Sequence, residues 1–322
     1  MTSQTIKWGV LGYARIAKNS LIPAIQEAPN SELYAVASRD PEKLKECREL
    51  FACPKLYEDY DAMLEDPELQ AVYIPLPNSM HKEWAIKAMR KGKHVLCEKP
   101  IALNAAECRE MIEAAEQSGV LLMEAFMYRF TELALRVKEI IGSGELGELK
   151  YIHSSFRFLL DRPNTIKIRP ELGGGSLYDV GCYPVSFVNM ITGRAPVSCV
   201  SQSVLEGGVD VIFSALMKYE DGLIAAVNSG FNAQKDTRTE IVGTKGKLEI
   251  PDTFSGMDGA ITVITDTGAR EVPVRDTGRY TLEVTDFAEA ILQKRPPGMS
   301  LEDSLLNMQV LDMLFASMNA AR

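Results

Sequence analysis

The N-terminal part of the sequence alternates short apolar segments with segments of helical spacing, and this alternation limits the possible folds more than any other feature. Asp40 is expected to cap a helix that begins at Pro41, and Asn104 to cap one that Gly119 ends. The order predicts parallel βαβ units with helices on both faces of one sheet. The strand-like segments are Lys7 to Leu11, Leu33 to Ala37, Ala71 to Ile74, His94 to Cys97 and Val120 to Glu124.

The pattern changes after about Ala125, where strand-like segments follow one another with few helices between them. Turns such as Glu220-Asp221-Gly222 separate them, which indicates a mostly antiparallel sheet. Two amphipathic helices are predicted at Thr281 to Gln293 and Ser300 to Ala320. We therefore predict an α/β chain with two domains, residues 1–124 and residues 125–322. The later strand-like segments are Tyr151 to Phe158, Val197 to Leu205, Val211 to Tyr219, Leu223 to Ser229 and Arg238 to Val242.

The composition argues against several functional classes. The 322 residues carry a formal net charge of −9, so neither a nucleic acid nor an anionic membrane is an expected partner. No apolar run reaches membrane-spanning length, and the N-terminal residues 1–12 lack the features of a secretory signal. The six cysteines form no CxxC pair and the three histidines are scattered. We therefore expect reduced thiols, a cytoplasmic protein and no metal site.

A short loop follows the first predicted strand and has the pattern G-x-A-x-x-A, a relaxed form of G-x-G-x-x-G. Gly12 would make the tight turn, Ala14 would let a pyrophosphate approach, and Ala17 would let the helix lie close to the sheet. The alternative is a tight turn in an α/β protein that binds no nucleotide. The place of the loop at the first strand-to-helix junction favours a Rossmann domain with a doubly wound parallel sheet. The candidate cofactor-binding residues of this loop are Gly12, Tyr13, Ala14, Arg15 and Ile16.

The second predicted strand ends at Ser38-Arg39-Asp40. An NAD-specific site usually has an acidic residue at the position of Ser38, where it binds the ribose 2′-hydroxyl. A hydroxyl and a guanidinium suit a 2′-phosphate better, because arginine donates two parallel charge-assisted hydrogen bonds. The alternative is that Arg39 is a surface cation and Asp40 only a helix cap. We therefore expect NADP as the cofactor, with NAD less favoured.

Three further motifs extend the pattern over the rest of the chain. They are Cys97-Glu98-Lys99-Pro100 at a strand end, Leu76-Pro77-Asn78 followed by His81, and Gly173-Gly174-Gly175-Ser176-Leu177-Tyr178-Asp179-Val180-Gly181-Cys182-Tyr183-Pro184. Together, these motifs resemble those of the glucose-fructose oxidoreductase/inositol dehydrogenase (GFO/IDH/MocA) family. The resemblance covers nearly the whole length of the sequence. Within the family it is similar to the branch of NADP-dependent D-xylose dehydrogenases and dimeric dihydrodiol dehydrogenases.

The resemblance implies an N-terminal Rossmann domain and a C-terminal α/β domain with an open, mostly antiparallel sheet. It also implies that Lys99 lies near the nicotinamide and the substrate hydroxyl, and that Tyr183, four residues after Asp179, is the acid-base residue. The alternative for Lys99 is a solvated surface lysine, and for Tyr183 an aromatic residue in the core of the second domain. The alternative for Asp179 is a helix cap, and for His81 an ordinary helix residue. The further cofactor-binding residues that it implies are Leu76, Pro77, Asn78, His81, Glu98 and Lys99.

Lys99, Tyr183 and Asp179 suit the oxidation of an alcohol. The cofactor takes the hydride, so the protein must supply a proton acceptor. A free tyrosine phenol has a pKa of about 10, and a lysine ammonium nearby lowers the pKa of such a phenol. Lys99 would also donate a hydrogen bond to the developing alkoxide, and Asp179 would orient either a sugar hydroxyl or Lys99.

These residues predict an NADP-dependent oxidoreductase that acts on a cyclic sugar or polyol, such as a D-xylose or glucose-like dehydrogenase. An alternative substrate is a ketosugar or anhydro-ketosugar that the enzyme reduces. A hypothesis of a different class is a dinucleotide-binding regulatory protein without turnover; both Lys99 and Tyr183 are present, which disfavours it. The second sheet is expected to have one uncovered apolar face, which predicts a homo-oligomer, most simply a dimer.

Overall fold

The computed structural model describes residues 5–162 and 165–320 of the chain, so the first four residues of the N-terminal stretch analysed above lie outside it. The strands are β1 (Ile6–Leu11), β2 (Ser31–Ala37), β3 (Lys55–Tyr57), β4 (Ala71–Ile74), β5 (His94–Glu98), β6 (Leu122–Ala125), β7 (Leu149–Leu159), β8 (Ser198–Glu206), β9 (Val209–Lys218), β10 (Ile224–Gly230), β11 (Asn232–Asp236), β12 (Thr239–Gly243), β13 (Gly246–Ile250), β14 (Gly259–Thr265) and β15 (Gly268–Val274). The α-helices are α1 (Ile22–Glu27), α2 (Pro41–Phe51), α3 (Tyr60–Leu64), α4 (His81–Arg90), α5 (Ala105–Ser118), α6 (Glu132–Gly142), α7 (Cys182–Thr192), α8 (Arg279–Gln293) and α9 (Leu301–Ala320). Among the residues described, no helix combines the length and the apolar character needed to cross a bilayer.

The first compact unit contains residues 1–127 and 278–304. Its six strands form one parallel sheet in the order β3-β2-β1-β4-β5-β6. The strand order reverses between β1 and β4, and ligands of open α/β sheets bind at the carboxyl ends of the strands beside such a reversal. The predicted doubly wound parallel sheet is therefore confirmed.

Two predicted helix caps in this unit are present in the structure. The Asp40 side chain accepts a hydrogen bond from the backbone N–H of Glu42 at 3.1 Å and caps α2. The Asn104 side chain accepts one from the N–H of Glu107 at 2.9 Å and caps α5, which Gly119 ends with a φ of +65°. Each cap satisfies a backbone donor that the first turn of a helix leaves without an intrahelical partner.

Helix α8 belongs to the first unit, although the sequence led us to place it in a domain of residues 125–322. The rings of Trp8 on β1 and Phe287 on α8 have centroids 5.7 Å apart. The Asn30 side chain donates a hydrogen bond to the carbonyl oxygen of Thr285 at 2.9 Å. Trp8 and Phe287 are both fully buried, so this helix buries its apolar face against the Rossmann sheet.

The second unit contains residues 128–277 and 305–322. Its sheet has the order β15-β14-β13-β12-β7-β10-β9-β8, with β11 also paired to β7. The pairing is antiparallel except between β7 and β10, which run parallel. The predicted open, mostly antiparallel sheet is confirmed, while β13, β14 and β15 extend it beyond the segments that the sequence analysis identified.

The two faces of the second sheet differ in their cover. Helix α9 contacts one face, where the hydroxyl of Ser201 on β8 donates a hydrogen bond to the carbonyl oxygen of Leu314 at 3.1 Å. On the other face, Val200 of β8 is paired with Leu216 of β9, and both side chains are more than half exposed. Residues of β9 alternate between buried and exposed positions, as expected for a sheet with one covered face. Further exposed apolar side chains of the sheet are Tyr151, Val204 and Ile212.

Candidate active site

The predicted cofactor-binding residues of the first unit follow the carboxyl ends of four neighbouring strands. Gly12 follows β1, Ser38 follows β2, Leu76 lies two residues after β4, and Lys99 follows β5. Because all four strands are parallel, these residues are placed at the same edge of the sheet. The sequence predicted this placement from the order of strands and helices.

Gly12 makes the turn that leads out of β1. Its φ is +110°, which disfavours any other residue, and a Cβ atom there would lie 2.8 Å from Cδ2 of Leu76. Its N–H donates a hydrogen bond to the carbonyl oxygen of Ala37 at 2.9 Å. Gly12 therefore lets the backbone turn sharply and pack closely against Leu76, and the absence of a side chain suits the first position of a loop that binds a pyrophosphate.

The residues that follow Gly12 begin the first helix. Ala14 and Ile16 are half-buried, Arg15 is exposed, and Ala17 is fully buried as a π-helical turn, Ala17–Leu21, leads into α1. The buried methyl group of Ala17 is small enough to let the helix lie close to the sheet. These positions fit a dinucleotide phosphate at the start of the helix.

Tyr13 is buried, and its ring packs edge-on against Phe51 with centroids 6.5 Å apart. Its hydroxyl has no hydrogen-bond partner among the described residues. Burial raises the pKa of the Tyr13 phenol well above its usual range. The Tyr13 side chain therefore contributes to packing beside the Gly12 turn.

Ser38 and Arg39 have different roles at the end of β2. The Ser38 hydroxyl is buried and accepts a hydrogen bond from the N–H of Asp40 at 3.2 Å, which leaves its own hydrogen available. Arg39 is exposed, with its guanidinium 5.6 Å from the centroid of the Tyr60 ring and no carboxylate partner among the described residues. The charge of Arg39 is therefore accessible to an anionic group.

Lys99 follows β5 and is half-buried. Its backbone N–H donates a hydrogen bond to the Glu98 carboxylate at 3.3 Å, and the same carboxylate accepts one from the Tyr73 hydroxyl at 2.5 Å. Burial raises the pKa of the Tyr73 phenol well above its usual range, so this hydroxyl stays a donor. Glu98, predicted to bind cofactor, is thus also the acceptor that fixes the backbone of the lysine.

His81 is fully buried at the start of α4, after a 3-10 turn over Asn78–Met80 that leaves Pro77 and Asn78 half-buried. Its Nδ1 lies 2.8 Å from the carbonyl oxygen of Pro100 and its Nε2 lies 2.8 Å from that of Leu76. Burial lowers the pKa of the His81 imidazole, and the two carbonyls oppose that shift. The ring therefore ties the loop after β4 to the loop after β5, which supports a positioning role more than direct contact with a cofactor.

The sequence analysis missed Glu283 on α8. Its side chain is fully buried, and neither carboxyl oxygen has a hydrogen-bond partner among the described residues. Burial raises the pKa of the Glu283 carboxyl well above its usual range, and the negative charge of Glu98 acts in the same direction. Both effects favour the protonated form of Glu283. It lies 184 positions after Lys99 in a helix of ordinary amphipathic pattern, so no local signal identifies it.

Asp179 and Tyr183 lie in the second unit, where a π-helical turn, Leu177–Gly181, leads into α7. Residues four apart lie on one side of a helix, and π-helical turns are frequent at functional sites. The Asp179 carboxylate forms an ion pair with the Lys167 ammonium, a partner that the sequence analysis did not identify. Asp179 therefore lies in the first turn of this helical segment and takes part in an ion pair.

The Tyr183 ring is buried in an aromatic cluster of the second unit. Its centroid lies 5.2 Å from that of Phe156, 5.6 Å from that of Phe254 and 6.0 Å from that of Tyr128. The hydroxyl of Tyr128 is hydrogen-bonded to the hydroxyl of Ser186 at 2.8 Å. These contacts fix the ring of Tyr183 in one orientation, which a group that transfers a proton in a defined direction requires.

No cluster of three or more metal-ligating side chains occurs in the parts of the chain that the structure covers. The six cysteines are free thiols, and five of them are buried.

Comparison with known proteins identifies the family. The model for the oxidoreductase family with an NAD-binding Rossmann fold matches residues 6–126, and the model for the GFO/IDH/MocA C-terminal domain matches residues 134–249. The chain belongs to the GFO/IDH/MocA family. This confirms the resemblance that the strand-end motifs and the glycine-rich segment indicated.

Two named dehydrogenases align with this chain over almost its whole length. D-xylose 1-dehydrogenase (NADP(+)) 2 of Haloferax volcanii is 37% identical over 315 residues, which are 96% of each chain. The trans-1,2-dihydrobenzene-1,2-diol dehydrogenase of Xenopus laevis is 32% identical over 322 residues, covering 95% of this chain and 96% of that protein.

One solved structure has a closely similar fold. It is a 3-ketoreductase from Actinomadura kijaniata in complex with NADP and TDP-benzene, with a TM-score of 0.92, 28% identity and 98% of each chain covered. That ketoreductase has also been solved with one lysine or one tyrosine replaced, and these two residues are separated by as many positions as Lys99 and Tyr183 are here.

Proposed function

We propose that this protein is an NADP-dependent oxidoreductase that acts on a hydroxyl-bearing carbon of a cyclic sugar or polyol, such as D-xylose or a glucose-like aldose. The observation that carries the proposal is the end of β2, where Ser38 and the accessible Arg39 occupy the place of the acidic residue of an NAD site. The names of the aligned relatives, an NADP-dependent xylose dehydrogenase among them, support the substrate class.

The residues around Gly12 fit the pyrophosphate of such a cofactor, and Ser38 and Arg39 fit its 2′-phosphate. When bound, the cofactor supplies the hydride acceptor or donor of the reaction. The candidate binding residues are Gly12, Tyr13, Ala14, Arg15, Ile16, Ser38, Arg39, Leu76, Pro77, Asn78, Glu98 and Lys99, with His81 holding the backbone beside them.

We further propose Tyr183 as the group that takes the proton from the substrate hydroxyl, and Lys99 as the cation that stabilises the alkoxide. The replaced lysine and tyrosine of the ketoreductase have the spacing of Lys99 and Tyr183, which supports this assignment. The ion pair with Lys167 holds Asp179 in one position, so Asp179 can accept a hydrogen bond from a sugar hydroxyl without being the base.

The proposal is tested with initial rates on a panel of aldoses, inositols and ketosugars, using NADP and NAD for oxidation and the reduced forms for reduction. We expect the highest kcat/KM with NADP and a pyranose aldose. Binding of dinucleotide without turnover on any member of the panel would contradict the proposal and favour a regulatory protein.

A second candidate function is the reduction of a ketosugar. The observation that favours it is the close structural similarity to the 3-ketoreductase, whose structure contains TDP-benzene. The same panel separates the two functions: a ketosugar reductase would reduce a nucleotide-linked ketosugar with NADPH faster than it oxidises any free aldose.

Replacing Tyr183 with Phe should lower kcat about 10²–10⁴-fold, because it removes the proton acceptor while the ring and its aromatic contacts remain. NADP affinity, measured by fluorescence titration, should stay close to that of the wild type. Lys99→Ala should lower kcat at least as much, and the double variant should be little slower than the slower single variant, because the two groups act together. Wild-type kcat in Tyr183→Phe would show that Tyr183 is not the base.

We also propose that the protein forms a homodimer through the uncovered face of the second sheet. Val200, Ile212 and Leu216 expose apolar side chains on neighbouring strands β8 and β9. A second copy of the same face is the simplest partner, because a two-fold axis pairs each apolar strand with its equivalent. The six free thiols are consistent with a reducing compartment, and we propose the cytoplasm.

A further inference from the structure

The segment with three successive glycines, Gly173 to Gly175, is packed against a short 3-10 turn over Ile166–Ile168. The N–H of Gly175 donates a hydrogen bond to the carbonyl oxygen of Lys167 at 2.8 Å, and that of Gly174 to the carbonyl oxygen of Arg169 at 3.0 Å. A Cβ atom on Gly174 would lie 2.7 Å from the Lys167 carbonyl oxygen. The glycines therefore permit a close backbone contact with the turn that carries Lys167, the ion-pair partner of Asp179.

Asp210, the second residue of β9, holds the other side of this segment. One of its carboxylate oxygens, Oδ2, accepts a hydrogen bond from the Ser176 hydroxyl at 2.6 Å and another from the N–H of Leu177 at 2.8 Å. The Ser176 hydroxyl also lies 2.9 Å from that of Ser229 on β10. Asp210 and Ser176 are buried, so these hydrogen bonds are shielded from solvent.

Asp210 also accounts for the conformation of Gly175. The φ of Gly175 is +118°, and a Cβ atom there would lie 2.3 Å from Oδ1 of Asp210. The glycine is required both by its backbone conformation and by the carboxylate packed against it.

The carboxylate acts as a helix cap supplied by a distant strand. Ser176 precedes the turn Leu177–Gly181 but makes no capping hydrogen bond with its own side chain. The N–H of Leu177 would otherwise lack an acceptor, and a negative charge at a helix start is favourable. Burial raises the pKa of Asp210 to about 6, while the hydrogen bonds from Ser176 and Leu177 oppose that shift.

We infer that Asp210 is a positioning residue that fixes the start of the helix carrying Asp179 and Tyr183, and so sets the orientation of the Tyr183 phenol for proton transfer. The inference rests on the proposed role of Tyr183. Asp210 is two residues from the turn Gly207–Gly208 and 27 positions after Tyr183, so no local motif connects it to the helix. It acts through hydrogen bonds to Ser176 and Leu177 and is not itself a catalytic residue.

The kinetic test compares Asp210→Ala and Asp210→Asn with the wild type. A displacement of about 1 Å at a catalytic group costs on the order of 10²-fold in rate, so Asp210→Ala should lower kcat by that order with unchanged NADP affinity. Asp210→Asn keeps an oxygen that can accept both hydrogen bonds and should recover most of the rate. Ser201→Ala is the matched control, because it removes another buried hydrogen bond of the same unit, to Leu314 on α9, and should leave kcat unchanged.

A double-mutant cycle separates positioning from general destabilisation. In the Tyr183→Phe background, Asp210→Ala should lower kcat no further, because its effect passes through the Tyr183 hydroxyl. The same loss in both backgrounds, or wild-type kcat in both Asp210 variants, would overturn the inference. If Tyr183→Phe itself keeps wild-type kcat, the proposed function fails instead, and the two failures are distinguished.

A measurement that needs no turnover completes the test. The protein is labelled at the tyrosine Cζ carbons, and the Tyr183 resonance is assigned by its loss in Tyr183→Phe. Asp210→Ala should shift this resonance, Asp210→Asn should shift it less, and Ser201→Ala should leave it in place. An unmoved resonance in folded Asp210→Ala would overturn the inference whether or not a substrate is known.

Discussion

At the scale of single residues, the expected cofactor preference depends on which groups the neighbouring charges of Arg39 and Asp40 contact. Asp40 directly follows Arg39, and an ion pair between them would have neutralised the guanidinium. Instead, the Asp40 carboxylate accepts the hydrogen bond from Glu42 that caps α2. The Arg39 guanidinium lies over the ring of Tyr60, which gives it a defined direction. The acidic residue of this strand end thus contributes to folding and leaves the arginine accessible.

Replacing Arg39 with Ala should lower kcat/KM with NADP on the order of 10–100-fold and leave kcat/KM with NAD nearly unchanged. A hydrogen bond to a charged group is worth about 1.5–3 kcal/mol, and only NADP has the 2′-phosphate that would receive it. The ratio of the two kcat/KM values measures the effect. Arg48→Ala, which removes an exposed arginine of the following helix α2, is the control and should not change the ratio. A wild-type enzyme that prefers NAD would refute this assignment.

At the scale of secondary-structure elements, the turn between β1 and the first helix has to meet two structural requirements, a positive φ and close packing against a neighbouring loop. Gly12 has a positive φ, and its backbone lies against the side chain of Leu76, which follows β4. Two loops at the strand-order reversal are therefore packed together through a residue without a side chain. A substitution there would displace Leu76 as well as strain the turn.

Gly12→Ala should weaken NADP binding at least tenfold, because a Cβ atom would displace Leu76 and distort the turn against which the phosphates are expected to lie. Gly119→Ala is a suitable control, since Gly119 also has a positive φ but has no atom within 4 Å of the added Cβ. Both variants should lose about 1–2 kcal/mol of unfolding free energy from the backbone conformation, measured by urea denaturation. Equal NADP affinity in the two variants would argue against the role of Gly12.

The sequence predicted those elements whose signals are local. The caps at Asp40 and Asn104 were predictable because the residue that caps a helix precedes it directly. Lys167 could not be paired with Asp179 from sequence, because an ion pair across a turn has no fixed spacing. The sequence of helix α8 shows only which of its faces is apolar. The contact of Phe287 with Trp8 could not be predicted, because it arises from tertiary packing.

Strands β13 to β15 were missed for a related reason. Lys247 and Glu249 of β13 alternate with Leu248, but the strand has only five residues, which is a weak signal of period two. The parallel pairing of β7 with β10 was also not predictable. It depends on the long connection between the two strands, which includes α7, and not on the residues of either strand.

At the scale of the whole molecule, the chain forms two units, each with its own sheet and core. The second sheet leaves the apolar side chains of Val200 and Leu216 exposed on one face. On the opposite face, the Ser201 side chain of β8 is buried against α9. Large exposed apolar patches are uncommon on monomeric proteins and mark interaction surfaces. The proposed homodimer would therefore form through the second unit.

Light scattering at micromolar concentration should give twice the chain mass of 35.6 kDa. Leu216→Glu should shift the protein to the monomer, because it places a charge at the centre of the apolar face. Leu135→Glu replaces a leucine of α6 that is just as exposed but lies on a helix, and it should leave the dimer intact. A wild-type mass equal to one chain would refute the proposed dimer.

The packing of Phe287 on Trp8 has a consequence for how the protein is made. When the ribosome has synthesised β1 to β6, Trp8 of the first strand is already present, but Phe287, which packs on it, lies 162 positions after Ala125 at the end of β6. The core of the Rossmann sheet can therefore be completed only after residues 128–277 of the second unit have been synthesised. During that interval it depends on partial burial or on a chaperone to shield Trp8, and an N-terminal fragment cut after residue 127 would stay in this unfinished state.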